Sequence, residues 1–257
     1  MKKEESRFAA DTVFEGMTSI RAVIKSNEMG RGRRICEILV DSARTDKLKK
    51  ELSWLRHVAE QYGFTLRYTN CDEINSLTVG NTHGGIVALC GEREIPSIED
   101  FEIREDGFYV MIEGIEDPYN FGYALRSLYA CGVDGIVLSP RNWMSAAGVV
   151  CRSSAGASEV LPICISDPAS SVEHFKRRGY KVVCAGIRDS VSSFEANMKN
   201  PIYLIVGGEK RGISASILAM ADKVVRIDYG REFPLSLSAA SAASMLAYEV
   251  MRANTKK

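Results

Sequence analysis

The sequence predicts an α/β protein in two parts, a small α/β module followed by a larger domain built on a parallel sheet. Three observations carry this reading. Short apolar runs alternate with helix-length amphipathic stretches along nearly the whole chain, an acidic stretch of weak periodicity interrupts the alternation around residue 100, and 257 residues exceed what one small core organises.

The module comes first. A helical pattern in "SIRAVIKSN" is followed by the strand "ICEILVD", the lysine-rich helix "DKLKKELSWLRHVAEQYG", the strand "FTLRYTN" and the strand "GGIVALC". These give a domain over 15–92. The next segment, "GEREIPSIEDFEIREDG", holds seven acidic residues and one proline, and its composition predicts a linker over 93–106. A second domain then fills 107–257. Its strands are expected in "FYVMIEGI", "GIVLS", "VLPIC", "KVVCAGI", "IYLIVGG" and "KVVRID". Its helices are expected in "NFGYALRSLYACG", near "MSAAGVVCR", in "SSVEHFKRRGY", in "SASILAMA" and at the C-terminus. Apolar strands separated by helices imply a parallel sheet covered on both faces, with ligands bound beyond the C-terminal strand ends. The loops after Ile115, Val206 and Ile227 are therefore the places to search.

Composition narrows the function classes. The 33 basic and 33 acidic side chains cancel, so any affinity for a polyanion rests on local patches such as "GRGRR" at 30–34 and "KLKK" at 47–50. Seven cysteines form no C-x-x-C pair and mostly sit in apolar runs, as reduced thiols of a cytoplasmic protein would. The first residues contain no apolar core of a signal peptide, and no stretch has the roughly 20 apolar residues of a membrane span. "GGEKRGIS" at 207–214 superficially resembles a P-loop, but Ile213 stands where its lysine belongs. No G-x-G-x-x-G follows a predicted strand, and His57, His83 and His174 lack partners at ligand spacing, so no metal site is expected.

Three loops stand out. In "EDPYNFGYALRSLYACG", Pro118 ends strand geometry, Asn120 can cap a helix and Arg126 falls within its second turn. In "IYLIVGGEKRGIS", Gly207 and Gly208 end a strand and let the backbone approach a ligand, with Glu209 beside them. In "VVRIDYGREFPLSLSAASAASMLAYEVMR", a strand ends at Ile227 and serines open an alanine-rich helix. Each loop taken singly also fits a bland reading, as a helix arginine, a tight turn and a well-capped helix.

In order and spacing, the three loops resemble the motifs of the SpoU/TrmH family, in the SPOUT class of RNA methyltransferases. "DPYNFGYALR" at 117–126 matches D-P-x-N-x-G-x-x-x-R, and "IVGGEKRG" matches G-x-E-x-x-G after a strand. Ser236-Leu237-Ser238 stands where the family has Ser-Leu-Asn. "RSSAGASEVLPI" at 152–163 resembles the family's S-x-G-A segment, and His83-Gly84-Gly85 resembles the His-Gln-Gly that closes its N-terminal substrate-binding module.

The resemblance implies a parallel-sheet SPOUT domain with a C-terminal trefoil knot, preceded by an RNA substrate-binding α/β domain. It implies S-adenosylmethionine as cofactor, held by Gly207, Gly208, Ile227, Leu237 and Ser238, and methylation of a ribose 2′-hydroxyl in structured RNA, ribosomal RNA ahead of tRNA. Asn120, Arg126, Glu209 and Ser236 take the catalytic positions. A guanidinium already carries its proton and cannot accept another, so Arg126 is read as gripping RNA and stabilising alkoxide charge. Arg31, Arg33 and Arg34 are the expected RNA contacts, and a homodimer with the site at its interface is expected. Ser238, with Asp228-Tyr229 in place of the usual Pro-Met, departs from the family. A non-catalytic, knotted RNA-binding or ribosome-assembly protein and a tRNA 2′-O-methyltransferase are the alternative expectations.

Overall fold

A computed structural model describes residues 13–79, 82–140, 146–208 and 212–255. Its contacts divide these into two compact units, one of residues 13–94 with 146–160 and the other of 95–140 with 161–255.

In the first unit, β1 (Val13–Glu15), β2 (Ile35–Asp41), β3 (Thr65–Thr69) and β4 (Ile86–Cys90) form a sheet in the order β1-β4-β2-β3. β2 runs parallel to β3 and antiparallel to β4, which also pairs antiparallel with β1. Helices α1 (Gly16–Glu28), α2 (Lys49–Tyr62) and α3 (Cys71–Leu77) accompany it. Phe14, Ile20, Val23, Ile38 and Leu55 fill the core; each is fully buried, contributing about 1.5–3 kcal/mol for the larger side chains. Two helices from the second half of the sequence, α5 (Ala147–Ser153) and α6 (Ala157–Val160), pack here against β1 and α1. A Cβ on Gly148 would lie only 2.0 Å from the Val13 carbonyl oxygen, so glycine is what lets α5 meet that strand.

Glu159 fixes this packing chemically. Its carboxylate accepts from Arg33 Nε at 2.9 Å, with the two side chains 3% and 4% exposed, and its carbonyl accepts from Ser26 Oγ at 2.7 Å. Arg33 also donates to the Gly91 carbonyl, and Arg93 donates to the Ser158 carbonyl at 2.7 Å. The expectation of Arg33 as an RNA contact is thereby corrected, because its guanidinium is buried and committed to Glu159. Of the other two, Arg34 is exposed and Arg31 half-buried.

The second unit holds seven strands, β5 (Phe108–Ile112), β6 (Gly135–Leu138), β7 (Ile163–Ile165), β8 (Lys181–Ala185), β9 (Val191–Ser192), β10 (Ile202–Val206) and β11 (Lys223–Arg226). They pair in the order β7-β6-β5-β10-β8-β11-β9, every pair parallel. Every residue of the runs "FYVMI" and "IYLIV" in β5 and β10 is buried, as central parallel strands require. Helices α4 (Pro118–Ala130), α7 (Pro168–Arg177), α8 (Ala215–Met220) and α9 (Ala239–Asn254) complete the unit. Phe175 of α7 stacks on Tyr203 of β10 at 4.0 Å between ring centroids.

Several local expectations change. The N-cap of α4 is Asp117, whose carboxylate accepts from the Asn120 N–H at 2.8 Å, so Asn120 is not the cap. Asp167 and Pro168 open α7 in the same way, two residues before the predicted start. The acidic stretch is tied down: Ile98 N–H donates to the Ile165 carbonyl at 3.1 Å and Ile165 N–H to the Pro96 carbonyl at 2.9 Å, with Ile98 buried. Val160 closes α6, and β7 begins only at Ile163.

Candidate functional site

Parallel strands end together, and here the ends of β10, β8 and β11, neighbours in the sheet, open one cavity of about 620 Å³. That is within the ~300–1,000 Å³ range of small-molecule sites. β10 contributes Val206, Gly207 and Gly208; β8 contributes Ala185, Gly186 and Ile187; β11 contributes Val225, Arg226 and Ile227. The opposite wall is Ser236, Leu237 and Ser238 with Ala239, Ala242 and Leu246 of α9.

Glycine shapes the first wall. A Cβ on Gly207 would sit 2.5 Å from the Gly212 carbonyl carbon, and one on Gly208 would sit 2.5 Å from the Gly114 carbonyl oxygen. The obstacles are backbone atoms, which cannot rotate away. Gly212 N–H donates to the Gly208 carbonyl at 3.1 Å, and Gly212 takes a φ of 62°. At Gly186 the nearest obstacle is a side chain, since a Cβ there would lie 2.8 Å from Val224 Cγ1.

The third loop meets the cavity through a helix start. Ser238 is the N-cap of α9: its Oγ accepts from the Ser241 N–H at 3.2 Å and lies 3.0 Å from the Ser241 hydroxyl. The start of α9 thus borders the same cavity through Ser238, Ala239 and Ala242. Ser236 is exposed at the rim, and Leu237 is half-buried.

The cavity therefore brings together Gly207, Gly208, Ile227, Ser236, Leu237 and Ser238 of the sequence-predicted set. Asn120 and Arg126 are not in its wall. Both lie on α4, which packs against α9; Arg126 is exposed and forms no ion pair with a described residue. Glu209 lies outside the described residues. Sequence reasoning missed Ala185, Gly186 and Ile187, although a glycine closing the predicted strand "KVVCAGI" was the available signal.

Asp228, a departure singled out in the sequence, faces away from this cavity. Its carboxylate accepts from Arg226 Nε at 2.8 Å, and hydrogen bonding from Ser192 and then Arg226 holds it below the ordinary carboxylate range. Among the described residues, no group of three or more His, Cys, Asp or Glu side chains gathers as a metal site. No described helix is long and apolar enough to cross a membrane. In the first unit, buried His83 accepts from the Gly85 N–H at Nδ1, which leaves Nε2 as the donor to Asn75 Oδ1 at 2.8 Å.

YacO of Bacillus subtilis (strain 168), assigned to the TrmH family of tRNA/rRNA methyltransferases, is 28% identical over 213 residues, covering 80% of this chain and 84% of its own. The 23S rRNA (guanosine-2′-O-)-methyltransferase RlmB of Shewanella oneidensis is 25% identical over 94% of this chain and 97% of its own. Among solved structures, the AdoMet-bound rRNA methyltransferase from Sinorhizobium meliloti shares the fold with a TM-score of 0.78 at 21% identity. It covers 95% of this chain and 88% of that one. The SpoU methyltransferase AviRb from Streptomyces viridochromogenes, in complex with AdoMet, has a TM-score of 0.76 at 21% identity, covering 93% and 89%. The profile of the SpoU rRNA Methylase family matches residues 107–248, more than half of the sequence, and the chain belongs to that family.

Proposed function

We propose that this protein is an S-adenosylmethionine-dependent RNA methyltransferase acting on a ribose 2′-hydroxyl of structured RNA, ribosomal RNA ahead of tRNA. The observation that carries the reading is the cavity at the ends of β10, β8 and β11, where two glycines without room for a Cβ face the serine-rich opening of α9. Its volume, its exposed backbone edges and its hydroxyls suit a nucleoside with a short polar tail. Gly207, Gly208, Ile227, Leu237 and Ser238 would hold it. When bound, the cofactor supplies an electrophilic sulfonium methyl group.

The remaining work falls to the protein. A 2′-hydroxyl is a weak nucleophile at neutral pH, so its orientation and its developing charge decide the rate. Arg126, exposed and permanently cationic, is assigned to the RNA phosphate or ribose and to the charge on the 2′ oxygen. Asn120 orients Arg126 and the RNA backbone, Ser236 bonds substrate or cofactor, and Glu209 holds a polar or cationic partner in the site. The module over 15–92 is assigned to RNA, with Arg31 and Arg34 as phosphate contacts. Exposed Met245 and Tyr248 on α9 support a homodimer with the active site at its interface, and a trefoil knot completes the expected topology. With all seven cysteines free, the enzyme is assigned to the cytoplasm.

The test combines calorimetry with incorporation of labelled methyl groups. Wild-type protein should bind S-adenosylmethionine and label RNA from cells lacking its gene. Arg126→Ala should bind the cofactor normally and lose labelling by at least a hundredfold, the scale of one lost charge-stabilising donor. Cofactor binding without incorporation into any RNA class would replace this reading with that of a non-catalytic RNA-binding protein.

A further inference from the structure

Asp228 belongs to no wall of the cavity, yet both of its neighbours do. Ile227 and Tyr229 line the cavity, as do Val225 and Arg226, so Asp228 is the one residue of 225–229 turned elsewhere. It lines a smaller neighbouring groove of about 290 Å³ with Ser193 and Phe194. There it meets Arg226 at 2.8 Å. Arg226 in turn donates through Nη1 to the Ser190 carbonyl at 2.7 Å, and its own carbonyl accepts from the Ser193 N–H at 2.9 Å.

These bonds anchor a long irregular segment. Residues 227–238 contain no helix or strand, and 229–236 are all exposed. Between Tyr229 and Leu237 no hydrogen bond or ion pair joins the loop to another described residue; a ring contact of 5.9 Å between Tyr229 and Phe233 lies within it. The loop is therefore held at its two roots. One root is the Ser238 cap of α9, and the other is the set of contacts around Arg226 and Asp228. Both roots carry cavity wall. A ligand in the cavity must find this wall already in place or bear the entropy of ordering it.

We propose that Asp228 is a positioning residue for the cofactor site, its bond to Arg226 fixing the root of the 227–238 loop so that Ile227 and Tyr229 are set against the bound cofactor. The inference rests on the cofactor reading above. The pair is about one-third exposed, so its contribution is modest and shared with Ser192 and Ser190. Removing the carboxylate should weaken cofactor binding about three- to tenfold. It should leave the chemical step and RNA recognition alone.

Titration calorimetry with S-adenosylmethionine and steady-state methylation decide the matter. Asp228→Ala should raise the cofactor dissociation constant and cofactor KM together, with kcat and RNA KM unchanged. Asp228→Asn, which keeps an acceptor but not the charge, should lie between that variant and wild type. Lys176→Ala, which removes a comparably exposed 2.8 Å ion pair to Asp222 elsewhere in the unit, should change none of these constants. Wild-type affinity in Asp228→Ala, a fall confined to kcat, or an equal loss in Lys176→Ala would overturn the inference. No cofactor heat from the wild-type protein would sink the cofactor reading itself, and this inference with it.

Discussion

Gly208→Ala is the most informative single perturbation, because the structure states what the new methyl group would strike. Its Cβ would lie 2.5 Å from the Gly114 carbonyl oxygen, 2.6 Å from the Gly114 carbonyl carbon and 2.7 Å from the Glu113 carbonyl oxygen, where ordinary contact begins near 3.4 Å. About 0.9 Å must be found, and none of the three atoms is a side-chain end that can swing aside. The remaining route is to move the end of β10 away from the end of β5, lengthening the 2.9 Å bond from Glu113 N–H to the Val206 carbonyl. Overpacking of this kind costs about 1–3 kcal/mol. At about 2–4 °C per kcal/mol for a domain of this size, the melting temperature should fall by roughly 2–12 °C. Because Gly207 and Gly208 are cavity wall, S-adenosylmethionine should bind at least tenfold more weakly at temperatures where the variant is folded. Scanning calorimetry and cofactor titration measure both effects. Gly230→Ala is the control: a Cβ there meets nothing within 4 Å, so it should melt like wild type. A Gly208→Ala protein that melts within a degree of wild type and binds cofactor normally would refute the close-approach account of this wall.

Two further predictions concern the first unit. Arg33→Ala leaves the Glu159 carboxylate buried without its partner and should cost about 3–5 kcal/mol, read by denaturant unfolding, whereas replacing the pair together with Met and Leu should recover most of the loss. Near-wild-type stability in Arg33→Ala would show that the pair does not hold 146–160 to this unit. Hydrogen bonds from Arg67 and Thr69 lower the Glu73 carboxyl to about 2, so its stabilisation is complete above its unfolded value of 4.5 and is lost as pH falls through about 2. The gap between wild type and Glu73→Gln should be full above pH 4.5 and close toward pH 2, and should amount to only about 0.2–1 kcal/mol because both side chains are some 40% exposed. A gap that widens with acidification would contradict the assignment.

The parts of the fold visible in the sequence are those whose information is local. β4, β5 and β10 are continuous apolar runs, and the glycine pair after β10 marks itself. α3 was missed because its seven residues bury only Ile74, leaving no helical stripe to detect. β1 was missed because three residues carry too short a pattern. Long-range placement was hidden altogether. "GRGRR" reads as a basic loop placed to meet RNA, but Arg33 is buried because Glu159 arrives from 126 positions away, and nothing near Arg33 announces that partner. The same remoteness hides the packing of α5 and α6 with the first unit. At the site, the motif spacing pointed to six residues that share one cavity, while the contribution of Gly186 depended on β8 lying between β10 and β11. The departure at Asp228 does not by itself say where its carboxylate points; the bond from Arg226, two positions earlier, shows that it turns to a protein partner.

The central claim is that the cavity delivers a methyl group to ribose. The direct measurement is digestion of RNA labelled in vitro from S-adenosylmethionine to nucleosides, followed by mass spectrometry of the labelled product. The account predicts a single 2′-O-methylnucleoside, with ribosomal RNA labelled more strongly than tRNA and the signal lost in Arg126→Ala. Label on a base, or label that persists in Arg126→Ala, would contradict it.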